Sequence, residues 1–200
     1  MLALPPVTRA IIIANVVVFL LQFVAGNLIL SLFALWPVGD TLFQPWQLLT
    51  YSFLHEGFLH IFFNMFALYM FGTPLEAFWG SRRFAFYYVA CVLTAAATEL
   101  AVQNATEVGG PVLGASGGVF GLLLAFAWYF PKQRLMLLFP PIPMPAWLFV
   151  TIYGGVELVF GVTGVQPGVA HFAHLGGMLG GALAILYWRA RGRFTGKGAG

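Results

Sequence analysis

The chain has 200 residues, of which 60% are hydrophobic and only 8% are charged. Soluble domains normally carry about 25% charged residues, so this composition excludes an ordinary soluble globular protein. The single cysteine, Cys91, excludes a disulfide within the chain. The chain has 9 Lys or Arg residues against 6 Asp or Glu residues, but their placement indicates membrane topology rather than a nucleic-acid partner.

Apolar segments recur along the whole chain, and most are long enough to cross a bilayer as a helix. We therefore predict an all-α polytopic membrane protein, a bundle of six transmembrane helices forming one domain over residues 1–200. The predicted spans lie at roughly 10–30, 56–79, 83–103, 116–130, 146–163 and 169–188. The fourth span, with about 15 residues, is too short to cross the bilayer, so we expect it to begin below the membrane surface.

The cations indicate which side of the membrane each loop faces. With six spans, all of them fall at the same side: Arg9, Arg82, Arg83, Lys132, Arg134, Arg189, Arg191, Arg193 and Lys197. The opposite loops, near 31–55, 104–115 and 164–168, contain no Lys or Arg. By the positive-inside rule, both termini are predicted to be cytoplasmic, with 189–200 as a basic cytoplasmic tail.

Polar side chains inside apolar spans cost free energy in the membrane and are usually functional. The four histidines all lie in or beside spans, at His55, His60, His171 and His174, and Asn64 lies one helical turn after His60. Counting from the cytoplasmic ends puts Ser116, His174 and Asn64 at one level, roughly 8 Å below the outer surface. The sequence therefore predicts a submerged, water-accessible cavity that opens to the non-cytoplasmic side.

Glycines indicate how the fourth and sixth spans could approach each other. Gly177 and Gly181 form one stripe of small residues, and Gly117 and Gly121 form another. Such stripes let helix backbones pack closely. If they meet, His174 can reach Ser116, and a hydroxyl next to an imidazole is what general-base activation of a serine requires.

Three motifs resemble those of the rhomboid family of intramembrane serine proteases, in the minimal six-span bacterial form. His60–Asn64 is similar to the family's HxxxN motif, Gly114–Gly117 to its GxSG motif, and Ala173–Gly177 to its AHxxG motif. The resemblance covers most of the chain, from about Trp46 to Gly181. It implies an integral protein of the bacterial inner membrane, with no cofactor and no metal.

The resemblance also implies the roles of individual residues. Ser116 and His174 would form a catalytic dyad without a third, acidic member. His60, Asn64 and the backbone N–H of Ser116 would form the oxyanion hole. Substrates would be transmembrane segments of other proteins, cut near their outer ends within the lipid bilayer. The residues placed in supporting positions are Gly114, Gly117, Phe120, Gly177, Gly181, His55 and His171.

Two positions depart from the family's usual pattern. The family often has Trp-Arg in the first loop, whereas Trp46 is followed here by Gln47. A tyrosine often follows the serine by four residues and packs on the histidine, whereas this chain has Phe120. Because the aromatic face is retained, we expect activity to survive.

Alternative functions stay open at this stage. A transporter or channel could use Glu99 and Glu157 along its pathway, and a catalytically silent relative could bind substrates without cutting them. A zinc protease is disfavoured because His55 and His60 are five residues apart, whereas an HExxH site needs four. Haem held by two histidines is a further alternative, which a colourless purified protein would exclude.

Overall fold

A computed structural model describes residues 4–107, 109–136, 141–165 and 168–192. Within these ranges the chain is mostly helical. In chain order the helices are α1 (Pro6–Phe33), α2 (Gln47–Thr50), α3 (Phe58–Ala67), α4 (Thr73–Trp79), α5 (Ser81–Thr106), α6 (Ser116–Tyr129), α7 (Ala146–Thr163) and α8 (His171–Ala190). A 3₁₀ turn, Tyr51–Phe53, follows α2. A π-helical turn, Leu68–Gly72, joins α3 and α4 into one helical segment.

Four of the described helical segments are long and apolar enough to cross a membrane: Pro6–Phe33, Phe58–Trp79, Ser81–Thr106 and Ala146–Thr163. This supports a polytopic membrane protein. Helix α6 is short, as predicted, because its 14 residues extend only about 21 Å. Helix α8 has 20 residues, but its histidines and glycines lower its hydropathy below that of the other four.

The first helix begins earlier than predicted, at Pro6 rather than near residue 10. The carboxylate of Glu76 accepts hydrogen bonds from the backbone N–H groups of Val7 (2.9 Å) and Thr8 (2.7 Å), and from the Thr8 hydroxyl (2.7 Å). These bonds satisfy donors that a helix start leaves free. The cap comes from α4, so no local pattern in the sequence indicated it.

The last helix extends further than predicted, to Ala190. The first two residues of the predicted tail, 189 and 190, are therefore helical. Residues 193–200 of that tail lie outside the described part of the chain.

Helix α8 packs closely against both α5 and α6, and its glycines make this possible. A Cβ added at Gly176 would lie 2.6 Å from Cβ of Thr98 on α5. A Cβ added at Gly177 would fall on the backbone oxygen of Gly117 on α6, and one at Gly181 would lie 3.4 Å from the backbone oxygen of Gly121. The two predicted stripes therefore meet.

The segment before α6 is held by the long loop that follows α1. Leu35 and Val112 form an antiparallel bridge, with both N–H···O distances at 2.9 Å. The backbone oxygen of Tyr51 accepts the N–H of Gly114 at 3.0 Å, and its hydroxyl donates to the backbone oxygen of Val92 on α5 at 2.9 Å. These bonds satisfy irregular backbone that would be costly to leave unpaired inside a membrane.

Gln47, at the position where the family often has arginine, organises that loop. Its side chain is fully buried. Its Oε1 accepts the N–H groups of Trp36 (3.3 Å) and Gln44 (3.1 Å), and its Nε2 donates to the backbone oxygens of Leu32 (3.3 Å) and Leu42 (2.8 Å). An amide can both donate and accept, so glutamine closes the loop without a charge.

Among the described residues, a pair of short strands between α6 and α7 departs from the all-α prediction. Strand β1 (Arg134–Met136) pairs antiparallel with β2 (Pro143–Pro145), and Leu135 lies opposite Met144. Prolines are rare inside strands but are tolerated at edges. The proline at each end of β2 therefore concealed the strand in the sequence.

Candidate active site

Ser116 is the first residue of α6, and the turn before it depends on Gly114. Gly114 has φ of +126°, a conformation that side chains with a Cβ rarely adopt. A Cβ at this position would also lie 2.9 Å from both Cε1 and Nε2 of His60, and 3.7 Å from the hydroxyl oxygen of Ser116. The glycine therefore lets the imidazole of His60 approach the serine turn.

His174 lies within hydrogen-bond distance of Ser116. Its Nε2 is 2.8 Å from the serine Oγ. His174 is on α8, one turn before Gly177, so the close packing of the two glycine stripes brings the side chains together. The side chain of His174 is 11% exposed, so the imidazole is largely shielded.

The ring of His174 is held by an aromatic neighbour. Phe120 stacks on it, with ring centroids 4.2 Å apart and planes inclined by only 7°. Phenylalanine thus presents an aromatic face to the imidazole at this position. Phe120 lies one turn after Ser116 on α6, so one helix carries both the hydroxyl and the platform for the imidazole.

The other nitrogen of His174 contacts a carboxylate, which the sequence analysis did not expect. Nδ1 of His174 lies 2.8 Å from Oε2 of Glu157 on α7, and Nδ1 of His171 lies 2.7 Å from the same oxygen. All three residues are buried. The structure thus places a carboxylate beside the two residues of the implied dyad. His171, predicted as a supporting residue, contacts Glu157, whereas His174 is the histidine on Ser116.

The geometry of this cluster fits hydrogen bonds better than metal ligation. The three candidate ligand atoms lie within 4.8 Å of one another, but two of the separations are 2.7 and 2.8 Å. Two atoms that close, each about 2.0–2.1 Å from zinc, would subtend an angle of about 80–90°, well below tetrahedral. A metal would also take the nitrogen of His174 that lies within hydrogen-bond distance of Glu157.

His60, one of the predicted oxyanion-hole residues, lies beside the turn that begins α6, since its ring is 2.9 Å from a Cβ built on Gly114. His60 and Asn64 lie on one face of α3, and the side-chain nitrogen of Asn64 donates to the backbone oxygen of His60 at 3.0 Å. An amide nitrogen carries a second N–H, which can serve another acceptor. The first backbone N–H groups of α6, beginning at Ser116, have no partner within their own helix. Together these are donors of the type that stabilise a developing oxyanion.

His55 lies behind His60 rather than in contact with Ser116. The two rings pack edge to face with centroids 4.9 Å apart. Gln22 on α1 holds the His55 backbone through two hydrogen bonds, of 3.0 and 3.1 Å. Burial and the nearby imidazole of His60 lower the pKa of His55 to about 4, so this ring is neutral at pH 7.

Two buried carboxylates, Glu157 and Glu99, were named in the sequence as possible pathway residues of a transporter or channel. In the structure Glu157 contacts His174 and His171. Glu99 on α5 accepts the backbone N–H of Ala173 at 3.0 Å, and so caps the start of α8 just before His174. A carboxylate in an apolar span costs free energy, and this marks both residues in the sequence as candidates for a function. Their partners could not be identified in the same way, because they lie far away along the chain.

Comparisons with known proteins match most of the chain. A family model described as the Rhomboid domain matches residues 42–191. Over 135 residues the chain is 33% identical to "Rhomboid protein 1, mitochondrial" of Saccharomyces cerevisiae, covering 66% of this chain and 38% of that protein. Over 139 residues it is 32% identical to "Rhomboid protease GluP" of Bacillus subtilis, covering 70% and 25%. Over 193 residues it is 28% identical to "Rhomboid protease GlpG" of Serratia proteamaculans, covering 94% and 64%. The chain therefore spans less than two thirds of the length of these relatives.

Proposed function

The chain belongs to the rhomboid family, and from that premise we propose that it is an intramembrane serine endopeptidase. It hydrolyses peptide bonds in or near the transmembrane segments of other proteins, with Ser116 as nucleophile and His174 as general base. The observation that carries the proposal is the 2.8 Å contact between His174 Nε2 and Ser116 Oγ. Hydroxyl and imidazole at this distance are the arrangement that activates a serine.

Six spans make up the proposed membrane domain. Four of them are the long apolar segments. The other two are α6, which carries Ser116, and α8, which carries His174. With this count the cations face one side, so both termini are cytoplasmic and the site opens to the opposite side. We place the protein in the inner membrane of a bacterium, with lipid and transmembrane substrates as its partners and without nucleic acid or metal.

In each half of the proposed reaction, His174 accepts one proton and then gives it up to the leaving group. The Ser116 hydroxyl gives its proton to Nε2 of His174 as Oγ bonds to the substrate carbonyl carbon. The imidazolium then protonates the leaving amine as the peptide C–N bond breaks, which leaves an acyl group on Ser116. Water then bonds to the acyl carbon and gives a proton to His174, which returns it to Ser116 Oγ as the ester C–O bond breaks and the second product leaves as an acid.

Negative charge on the substrate oxygen is stabilised by donors around the start of α6. We assign this role to the imidazole of His60, the amide of Asn64 and the backbone N–H of Ser116. Losing one such donor typically costs about 10²–10³-fold in kcat. The position of Gly114 against the His60 ring supports the assignment, since a larger residue would displace that ring.

Cleavage of a reconstituted substrate tests the proposal. The protein is placed in liposomes with a single-span protein labelled at both ends, and the products are followed by mass. Wild-type protein should cut within or beside the span, and Ser116→Ala or His174→Ala should lower kcat by at least about 10³-fold. Ser31→Ala is the matched control, because that hydroxyl bonds to the backbone of its own helix (Leu28 O, 2.9 Å). Equal cleavage by wild type and Ser116→Ala would refute the nucleophile assignment.

A further inference from the structure

Glu157 is a carboxylate in the interior of a membrane-spanning helix. It is 7% exposed and lies on α7, where the surroundings are mostly apolar. A buried carboxylate is costly unless charged or hydrogen-bonding partners compensate it. In rhomboid-type chemistry as implied by the motifs, no acidic residue takes part, so the position of Glu157 requires its own explanation.

The partners of Glu157 are the two histidines of α8. Oε2 lies 2.8 Å from Nδ1 of His174 and 2.7 Å from Nδ1 of His171. Apart from Glu157 itself, the His, Asp and Glu side chains on α3, α5, α6 and α7 are His60 on α3 and Glu99 on α5. Glu99 bonds to the backbone of Ala173 and to the Gln103 side chain. Glu157 is thus the carboxylate that contacts the imidazole on Ser116.

These contacts fix the tautomer of His174. An ionised carboxylate can only accept hydrogen bonds, and one oxygen can accept two. If Glu157 is ionised, both Nδ1 atoms carry the protons that it accepts. Nε2 of His174 then presents its lone pair to the Ser116 hydroxyl. The opposite tautomer would place two lone pairs against each other at 2.8 Å and would leave Ser116 without a base.

We propose that Glu157 is a positioning residue of the active site, acting through His174 in a serine–histidine–glutamate arrangement. This proposal rests on the proposed protease function. During acylation the serine proton moves to Nε2, and the resulting imidazolium keeps its Nδ1 proton in the hydrogen bond to Glu157. The carboxylate gains no proton, and its charge stabilises the imidazolium until the leaving amine takes the Nε2 proton.

His171 has a supporting part in this arrangement. Its Nδ1 donates to Glu157, whereas its Nε2 is buried and has no hydrogen-bond partner among the described residues. With Glu157 ionised, Nδ1 of His171 carries the proton that the carboxylate accepts. The second hydrogen bond orients the carboxylate toward His174 without competing for Ser116.

Substitution of Glu157 tests the proposal on full-length protein in liposomes. Loss of the acidic member of such an arrangement costs about 10⁴-fold in kcat in soluble serine proteases. Glu157→Gln should therefore lower kcat at least about 100-fold with KM within about twofold, and should slow fluorophosphonate labelling of Ser116 by a similar factor. Glu157→Asp, which restores the charge on a shorter side chain, should have a kcat at least about tenfold higher than that of Glu157→Gln. Glu107→Gln, at an exposed glutamate, is the matched control.

A spectroscopic measurement separates positioning from a merely structural role. In ¹⁵N-histidine-labelled wild type, His174 should carry its proton on Nδ1, and Glu157→Gln should produce a mixture of tautomers. Finding the proton of wild-type His174 on Nε2 would overturn the proposal, even if the variant does not fold. Glu157→Gln with kcat within threefold of wild type would overturn it as well. In both cases wild type still labels and cleaves, whereas failure of the protease function itself would remove labelling from the wild type.

Discussion

Gly177 lies where α8 crosses α6, and a methyl group added there would fall on the carbonyl oxygen of Gly117. A carbon and a carbonyl oxygen normally approach to about 3.3–3.6 Å, so in Gly177→Ala the two helices must separate by on the order of 1 Å. The Ser116–His174 contact of 2.8 Å would then exceed hydrogen-bond range. A shift of about 1 Å costs about 100-fold in rate, and overpacking costs about 1–3 kcal/mol of stability.

The assay measures kcat/KM for a reconstituted transmembrane substrate together with thermal unfolding. Gly155→Ala on α7 is the matched control, because nothing lies within 4 Å of a Cβ added there. That variant should keep its activity within about twofold and should not lose stability, since alanine is the better helix former. Gly177→Ala with wild-type activity would refute the idea that the glycine stripes set the distance between serine and histidine.

Three other changes have expected outcomes. His174→Ala should abolish cleavage of a membrane substrate, while His171→Ala should leave measurable kcat, because His171 contacts Glu157 but not Ser116; the reverse result would overturn the assignment. Gln47→Ala removes the buried amide that makes four hydrogen bonds to the backbone of the first loop. It should lower the free energy of unfolding by about 2–4 kcal/mol. Gln133→Ala, at an exposed side chain, should leave stability unchanged, and equal unfolding curves for the two variants would contradict this role. A chelator should leave activity unchanged, and loss of activity restored by added zinc would contradict a metal-free site.

Local patterns predicted the helices well. The apolar segments lie close to the helices observed, and α7 has the bounds expected, Ala146–Thr163. The short fourth helix followed from counting residues between breakers, and the spacing of the glycines showed a stripe of small residues on each of two spans. These features depend on residues within one turn or one helix of each other, which a sequence displays directly.

Contacts between distant residues were harder to predict. Glu76 caps α1 from a separation of 68 residues, and Glu99 caps α8 from 74 residues away. Glu157 was noted as a polar residue in a span, but nothing in the local pattern shows which helix face it meets. The role of Gln47 could not be predicted from the sequence either, because its four partners are backbone atoms that the fold of the loop brings together.

The central claim is that Ser116 is an activated nucleophile within the membrane. Reaction of the reconstituted wild-type protein with a fluorophosphonate, followed by peptide mapping, tests it most directly. The account predicts one adduct, on Ser116, that is absent from Ser116→Ala and strongly reduced in His174→Ala. Wild-type protein that cleaves substrate but shows no adduct at Ser116, or an adduct that persists in Ser116→Ala, would contradict it.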